Sequence, residues 1–290
     1  MRINLRGPLL SAVRLLSLLA LASFGTVLLV RSAPGYFTHT DELDAQHSGQ
    51  AREQVVAQRE HEGSALHSFL TSSQALLRGD LGQSHQYGVP VSTLLGPRLR
   101  VTGRLLLMAA VPAPLLALFC AVPCSQMRAH TLERGLVAAT LVGVAVPVSV
   151  LAGVCLLSGV GGPIAVLFVI LAVRDFRFFS RLLRRQSKAP YLLYARAYGV
   201  PQMRGILHGV LQPVRGEIFS LVALSFVTAL SAAIPIEVIF GIPGVGQMAW
   251  NAAMNRDLPV LLAVTLLMAA CVGTVDLAHR NLERSAAGIA

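Results

Sequence analysis

The chain has 290 residues, of which 54% are apolar and only 13% charged, with 25 glycines besides. An average soluble chain carries about twice that share of charge, and a soluble core of this length cannot hide so much apolar surface, so lipid must solvate the remainder and a soluble or disordered protein is excluded. The net charge of +10, from 24 Lys and Arg against 14 Asp and Glu, alternates with apolar blocks, and with only 6% aromatics it builds no basic, stacking face for a nucleic acid.

Crossing the hydrocarbon core takes about 20 apolar residues in a helix. The first such stretch is 9–30, behind Arg2 and Arg6; no A-x-A cleavage site follows it, so it reads as a retained anchor. Residues 32–97 then form a polar loop, in which 44–77 suggests one or two surface helices and Gly79, Gly82, Gly88 and Pro90 suggest turns. Further spans are expected at 101–123, 136–157, 218–240 and 258–275. A shorter apolar run, 161–173, leads straight into Arg174, Asp175, Arg177 and Arg181, whose long stems can snorkel to the interface. Counting it gives an all-α membrane protein with six transmembrane helices. The organisation expected is a cytoplasmic N-terminus and first span over 1–31, a loop with short helices over 32–97, and a five-span core over 98–290 that contains a loop at 184–217. Cys120, Cys124, Cys155 and Cys271 all sit in or beside apolar blocks and read as buried thiols.

Arginine placement sets the expected orientation, because short cytoplasmic loops hold the excess of Lys and Arg. Segment 174–217 carries nine cations against Asp175 and Glu217, whereas 32–97 is net acidic. Both termini are therefore expected inside. Within the basic segment, 189–199 and 201–211 read as two short helices broken at Gly199, whose freedom at positive φ suits a helix end, with Pro201 suiting a start.

Few residues suggest chemistry. The only lysine, Lys188, lies between Ser187 and Ala189, so no phosphate-binding P-loop exists here, and any ATP-driven step must draw on another subunit. His61-Glu62 lacks the second histidine of a zinc-protease motif, and the loop histidines His39, His47, His61, His67 and His85 read as solvated side chains. Ser84 and His85 offer a weak hydrolase reading. Glu237 and Asp276, near the ends of two spans, offer an ion-coupled carrier reading or a merely structural one.

Four signatures resemble one family. Tyr191-Leu-Leu-Tyr-Ala195-Arg196-Ala197-Tyr-Gly199 resembles the EAA coupling segment of ABC-importer permeases of the dipeptide, oligopeptide and nickel type. Glu237-Val-Ile-Phe240-Gly241-Ile-Pro243-Gly244-Val-Gly246, followed by Asn255-Arg256-Asp257-Leu-Pro259, is similar to the segment between the last two spans of those permeases. Ser32-Ala33-Pro34-Gly35 and Leu77-Arg78-Gly79-Asp80-Leu81-Gly82 are similar to first-half signatures, in the same order. Leu193 stands where the family pattern has its acidic residue, and the turn 158–162 is shorter than usual.

The resemblance implies the type I importer permease fold with a cytoplasmic coupling helix, in a bacterial inner membrane. It implies a second permease subunit, two ATP-binding subunits carrying ATP and Mg, and an extracytoplasmic binding protein, with no cofactor or metal in this chain and peptides or a chelated metal as cargo. Tyr191, Ala195, Arg196, Ala197 and Gly199 would face the ATPase. Glu237, Phe240, Gly241, Pro243, Gly244, Gly246 and Asp257 would shape the outer segment near the translocation path.

Overall fold

The computed structural model describes residues 6–32, 81–84, 86–126, 135, 140, 143, 145–201 and 204–287. In chain order the elements are α1 (Arg6–Ser32), α2 (Val91–Ala110), α3 (Pro112–Gln126), α4 (Val148–Ser158), α5 (Pro163–Ser187), α6 (Pro190–Ala197), a π-helical turn (Gly205–Leu211), α7 (Arg215–Ile239), α8 (Val245–Met254) and α9 (Leu258–Ala287). The described residues contain no strand beyond an isolated bridge between Gln83 and Pro90. The loop 33–80, with its expected surface helices, and the loop histidines lie outside them.

Three helical stretches among the described residues are long and apolar enough to cross a membrane: Val91–Ser125, Arg215–Ile239 and Leu258–Ala278. This is fewer than the six expected. Helix α1 is 27 residues long, with the apolar stretch Val13–Leu29 inside it. Much of 136–157 lies outside the described residues, and only its end is seen, as α4. Helix α5 has 25 residues, but its second half is dense in arginine.

Local sequence explains where helices stop. Proline lacks an N–H and pushes its predecessor out of the α region, and the break between α2 and α3 falls at Val111, just before Pro112. Between α4 and α5, Gly159 caps one helix in the left-handed region (φ 66°), and Gly162 and Pro163 begin the next in the way helix starts favour.

Contacts divide the chain into two compact units. In the unit of Met1–Arg98 with Met248–Thr274, α1 lies so close to α9 that a Cβ on Gly273 would meet the Leu15 side chain. In the unit of Leu99–Gln247 with Val275–Ala290, buried alanines recur every four residues at Ala109, Ala113, Ala117 and Ala121. Helix α5 buries a matching row, Leu167, Leu171, Asp175, Phe179 and Leu183. Lipid gives apolar helices no hydrophobic reason to associate, so small residues that permit close approach decide which faces meet. Ala117 and Ala121 pack in one cluster with Phe179 and Leu183. The cysteines depart from expectation: Cys120 is exposed and the other three half-buried, and on α3 the alanine row takes the buried face.

Replacing Ala117 with leucine is expected to overpack this contact and lower stability by about 1–3 kcal/mol. Leu116→Ala, on the exposed side of α3, is expected to change it by less than about 0.5 kcal/mol. Thermal unfolding in detergent reads both; equal effects would contradict the packing.

Candidate functional site

The segment joining α5 to α7 is held together by side chains rather than left as a loop. Helix α6 starts with Pro190, and Gly199 follows it at φ 73°, the left-handed turn the glycine allows. The stretch expected as a second α-helix instead forms the π turn Gly205–Leu211. Two contacts accompany this wider winding: the Tyr191 hydroxyl donates to the Gly209 carbonyl (2.5 Å), and Leu192 sits where a Cβ on Gly209 would be. Gln186, near the end of α5, donates to the same hydroxyl. Leu192, Val210 and Val214 are then buried in the cluster of Ala117, Ala121, Phe179 and Leu183.

Of the residues expected to face an ATPase, Tyr191 is half in this latch and half exposed, Ala197 and Gly199 are exposed, and Ala195 and Arg196 lie on α6 with side chains outside the described residues. Tyr194 and Tyr198, 69% and 87% exposed, continue the face of Tyr191 at helical spacing. Sequence reading did not find Gly209 as the partner of Tyr191. Its signal was a pair of glycines, Gly205 and Gly209, one helical turn apart.

A second cluster forms where α7 ends and α8 begins. The first N–H groups of a helix have no partner within it, and its positive dipole end favours an anion. Here Glu237 supplies the anion, fully buried: its Oε2 accepts from the N–H groups of Gly246 (2.7 Å) and Gln247 (3.2 Å). Thr102, from α2, donates its hydroxyl to Glu237 Oε1 (2.6 Å) and accepts from the Val245 N–H (2.8 Å).

The glycines follow from that arrangement. Gly241 turns the chain at φ 64°, a Cβ on Gly244 would strike the Glu237 carboxylate, and one on Gly246 would come within 2.7 Å of Ile234 Cα. Phe240 is half-buried and Pro243 exposed at the turn. Thr102 went unnoticed in the sequence, although a hydroxyl entering an apolar span is itself a signal.

Asp257 belongs to the other unit and does a similar job there. Its Oδ2 accepts from the Ser84 hydroxyl (2.5 Å) and the Gln86 N–H (3.2 Å), while Ser84 Oγ accepts from the Tyr87 N–H (3.0 Å). The carboxylate thereby pins a tight turn closed by Ser84 N–H to Val89 O and Val91 N–H to Gly82 O, with Gly82 and Gly88 at positive φ. Ser84 is 2% exposed and committed to these bonds, and His85 lies outside the described residues. Asp276, the other carboxylate considered for ion coupling, is exposed and paired with Arg280 (2.8 Å) one helical turn on.

Removing one partner of a buried, charged hydrogen-bond network leaves the others unsatisfied. Glu237→Ala is accordingly expected to destabilise the protein by about 3 kcal/mol or more, and Thr102→Val by about 1–2 kcal/mol. Detergent unfolding curves test this, and a Glu237→Ala protein as stable as wild type would refute the cap.

These features fall within a stretch that matches known proteins. A sequence model of the family described as binding-protein-dependent transport system inner membrane component matches residues 113–288. The oligopeptide transport system permease protein OppB of Escherichia coli (strain K12) is 38% identical over 80 residues, covering 28% of this chain and 26% of that protein. The metal-staphylopine import system permease protein CntB of Staphylococcus aureus (strain NCTC 8325 / PS 47) is 27% identical over 207 residues, 66% of each. A protein of Sinorhizobium fredii (strain NBRC 101917 / NGR234) named as a probable peptide ABC transporter permease, y4tP, is 24% identical over 294 residues, 91% of this chain and 92% of its own length. The chain thus spans about a quarter of the oligopeptide permease and just under two thirds of the metal-staphylopine permease. With apolar helices long enough to span a bilayer and a family match running from α3 to the end of α9, the chain belongs to the inner-membrane components of binding-protein-dependent transport systems.

Proposed function

We propose that this chain is the permease subunit of an ATP-driven importer. In this reading it forms a translocation path with a second permease, receives cargo from an extracytoplasmic binding protein, and is driven by two ATPase subunits that carry ATP and Mg. Six spans with both termini in the cytoplasm put the segment 184–217 on the ATPase side. Peptides or a chelated metal are the cargo classes that fit, as the similar proteins are named for oligopeptide and metal-staphylopine transport.

The observation that carries the reading is the burial of Leu192, Val210 and Val214 against α3 and α5. A lever must be stiff at its joint to transmit a rigid-body displacement. Here the joint is a packed core, and the Tyr191 hydroxyl ties both halves of the segment to each other. The exposed face of Tyr191, Tyr194 and Tyr198, with Ala195, Arg196, Ala197 and the Gly199 turn, is the proposed ATPase contact. On the far side, the outer segment from Glu237 through Phe240, Gly241, Pro243, Gly244 and Gly246 is proposed to border the path, with Glu237 holding its shape. Asp257 is proposed to shape the start of the last span.

Two measurements follow. Gentle detergent extraction of the tagged chain is expected to bring down an ATP-hydrolysing subunit; recovery of a fully transporting chain with no such companion would overturn the reading. In the reconstituted complex, Gly199→Pro replaces a residue at φ 73° with one fixed near −65°. Transport per ATP hydrolysed is expected to fall by roughly tenfold, the scale of a lost coupling energy, while hydrolysis continues. Tyr191→Phe is expected to shift the same ratio less and in the same direction, and an unchanged ratio in both variants would contradict the coupling role.

A further inference from the structure

The second half of α5 is strongly cationic, with five arginines against one carboxylate. At 100° per residue, Arg174, Arg177, Arg181, Arg184, Arg185 and Lys188 fall within a sector of about 100° on the helix. The one carboxylate on this helix, Asp175, lies on the buried row, accepting from the Ser225 hydroxyl of α7 at 2.5 Å while still attracting the neighbouring Arg174. Among the described residues, Arg174, Arg177, Arg181, Arg185 and Lys188 form no ion pair.

Two of these cations are held in place and incompletely satisfied. Arg174 and Arg181, seven residues apart, flank the ring of Phe178 at 5.6 and 6.0 Å, a cation–π arrangement that fixes both guanidinium groups on one face. Arg174 Nη1 and Arg177 Nε are buried with no acceptor. A buried N–H on a charged group without an acceptor carries a desolvation penalty that a native protein offsets with a partner. No acceptor for either lies among the described residues, and an anionic group at the point where the apolar half of α5 gives way to its charged half would supply both. That level on a membrane helix is where phosphates of phospholipids lie.

We propose that this face of α5 binds the phosphate of an anionic phospholipid, with the Arg174 and Arg177 guanidinium groups as its donors. The inference uses the proposed six-span arrangement only in placing the apolar half of α5 in the bilayer, and it is independent of which side faces the cytoplasm. Loss of lipid binding with ATPase co-purification intact would therefore sink this proposal alone.

The test is native mass spectrometry of the detergent-purified full-length chain, with any subunits that co-purify, titrated with phosphatidylglycerol and with phosphatidylcholine of the same acyl chains. Preferential retention of phosphatidylglycerol is expected. Arg174→Gln and Arg177→Gln are each expected to weaken it about fivefold, with Arg280→Gln, at the exposed pair with Asp276, as an unaffected control. Should the glutamine variants fail to fold, Arg177→Lys, which keeps the charge but removes the Nε donor, is expected to weaken binding about twofold. Equal retention of the two lipids, or unchanged affinity in the variants, would overturn the proposal. Displacement of the lipid by millimolar inorganic phosphate would assign the face to a soluble anion instead, and a cross-link from position 177 to a carboxylate of a co-purifying subunit would assign it to a protein contact; either result also overturns it.

Discussion

The close approach of α3 and α5 is the constraint on which the rest of the larger unit depends. A row of alanines on one helix meets a row of leucine and phenylalanine side chains on the other. Ala117 and Ala121 are buried in that contact, so a larger side chain there must displace its neighbours. Because the same cluster takes in Leu192, Val210 and Val214, the segment between α5 and α7 inherits its position from that contact. Packing of the membrane helices and placement of the proposed coupling element are thus one physical fact.

Where the helices break, side chains from elsewhere satisfy the freed backbone. Glu237 and Thr102 do so for the start of α8, and the Tyr191 hydroxyl does so for a carbonyl of the π turn. Asp257 and Ser84 give the same service to the turn before α2, within their own unit. A backbone polar group buried away from water needs such a partner. Of the two carboxylates first considered as ion carriers, Glu237 is bonded to backbone N–H groups and Asp276 is paired with Arg280.

Much of this was legible in the sequence. The uniformly apolar runs 218–240 and 258–275 coincide with α7 and α9, and the stop at Gly199 and the turn at 158–162 follow from glycine and proline alone. The family resemblance marked out Gly241, Gly244 and Gly246 as shaping an outer segment. What it could not announce was the reason, because the carboxylate they accommodate takes a hydroxyl from Thr102, 135 residues away. Nor could local propensity foresee a π turn at 205–211, since Tyr191 and Leu192, outside the window, meet Gly209 there. Helix α5 misled for a different reason: its buried face is continuous for its whole length, while its arginines cut the apolar run short.

The central claim is that the segment between α5 and α7 is rigidly packed against α3 and α5, and amide hydrogen exchange of the detergent-solubilised chain tests it most directly. Slow exchange is predicted at Leu192, Val210 and Val214, close to that of Ala117 and Phe179 in the same cluster. Exchange at those three amides as fast as in an unfolded peptide, with Ala117 and Phe179 still protected, would contradict it.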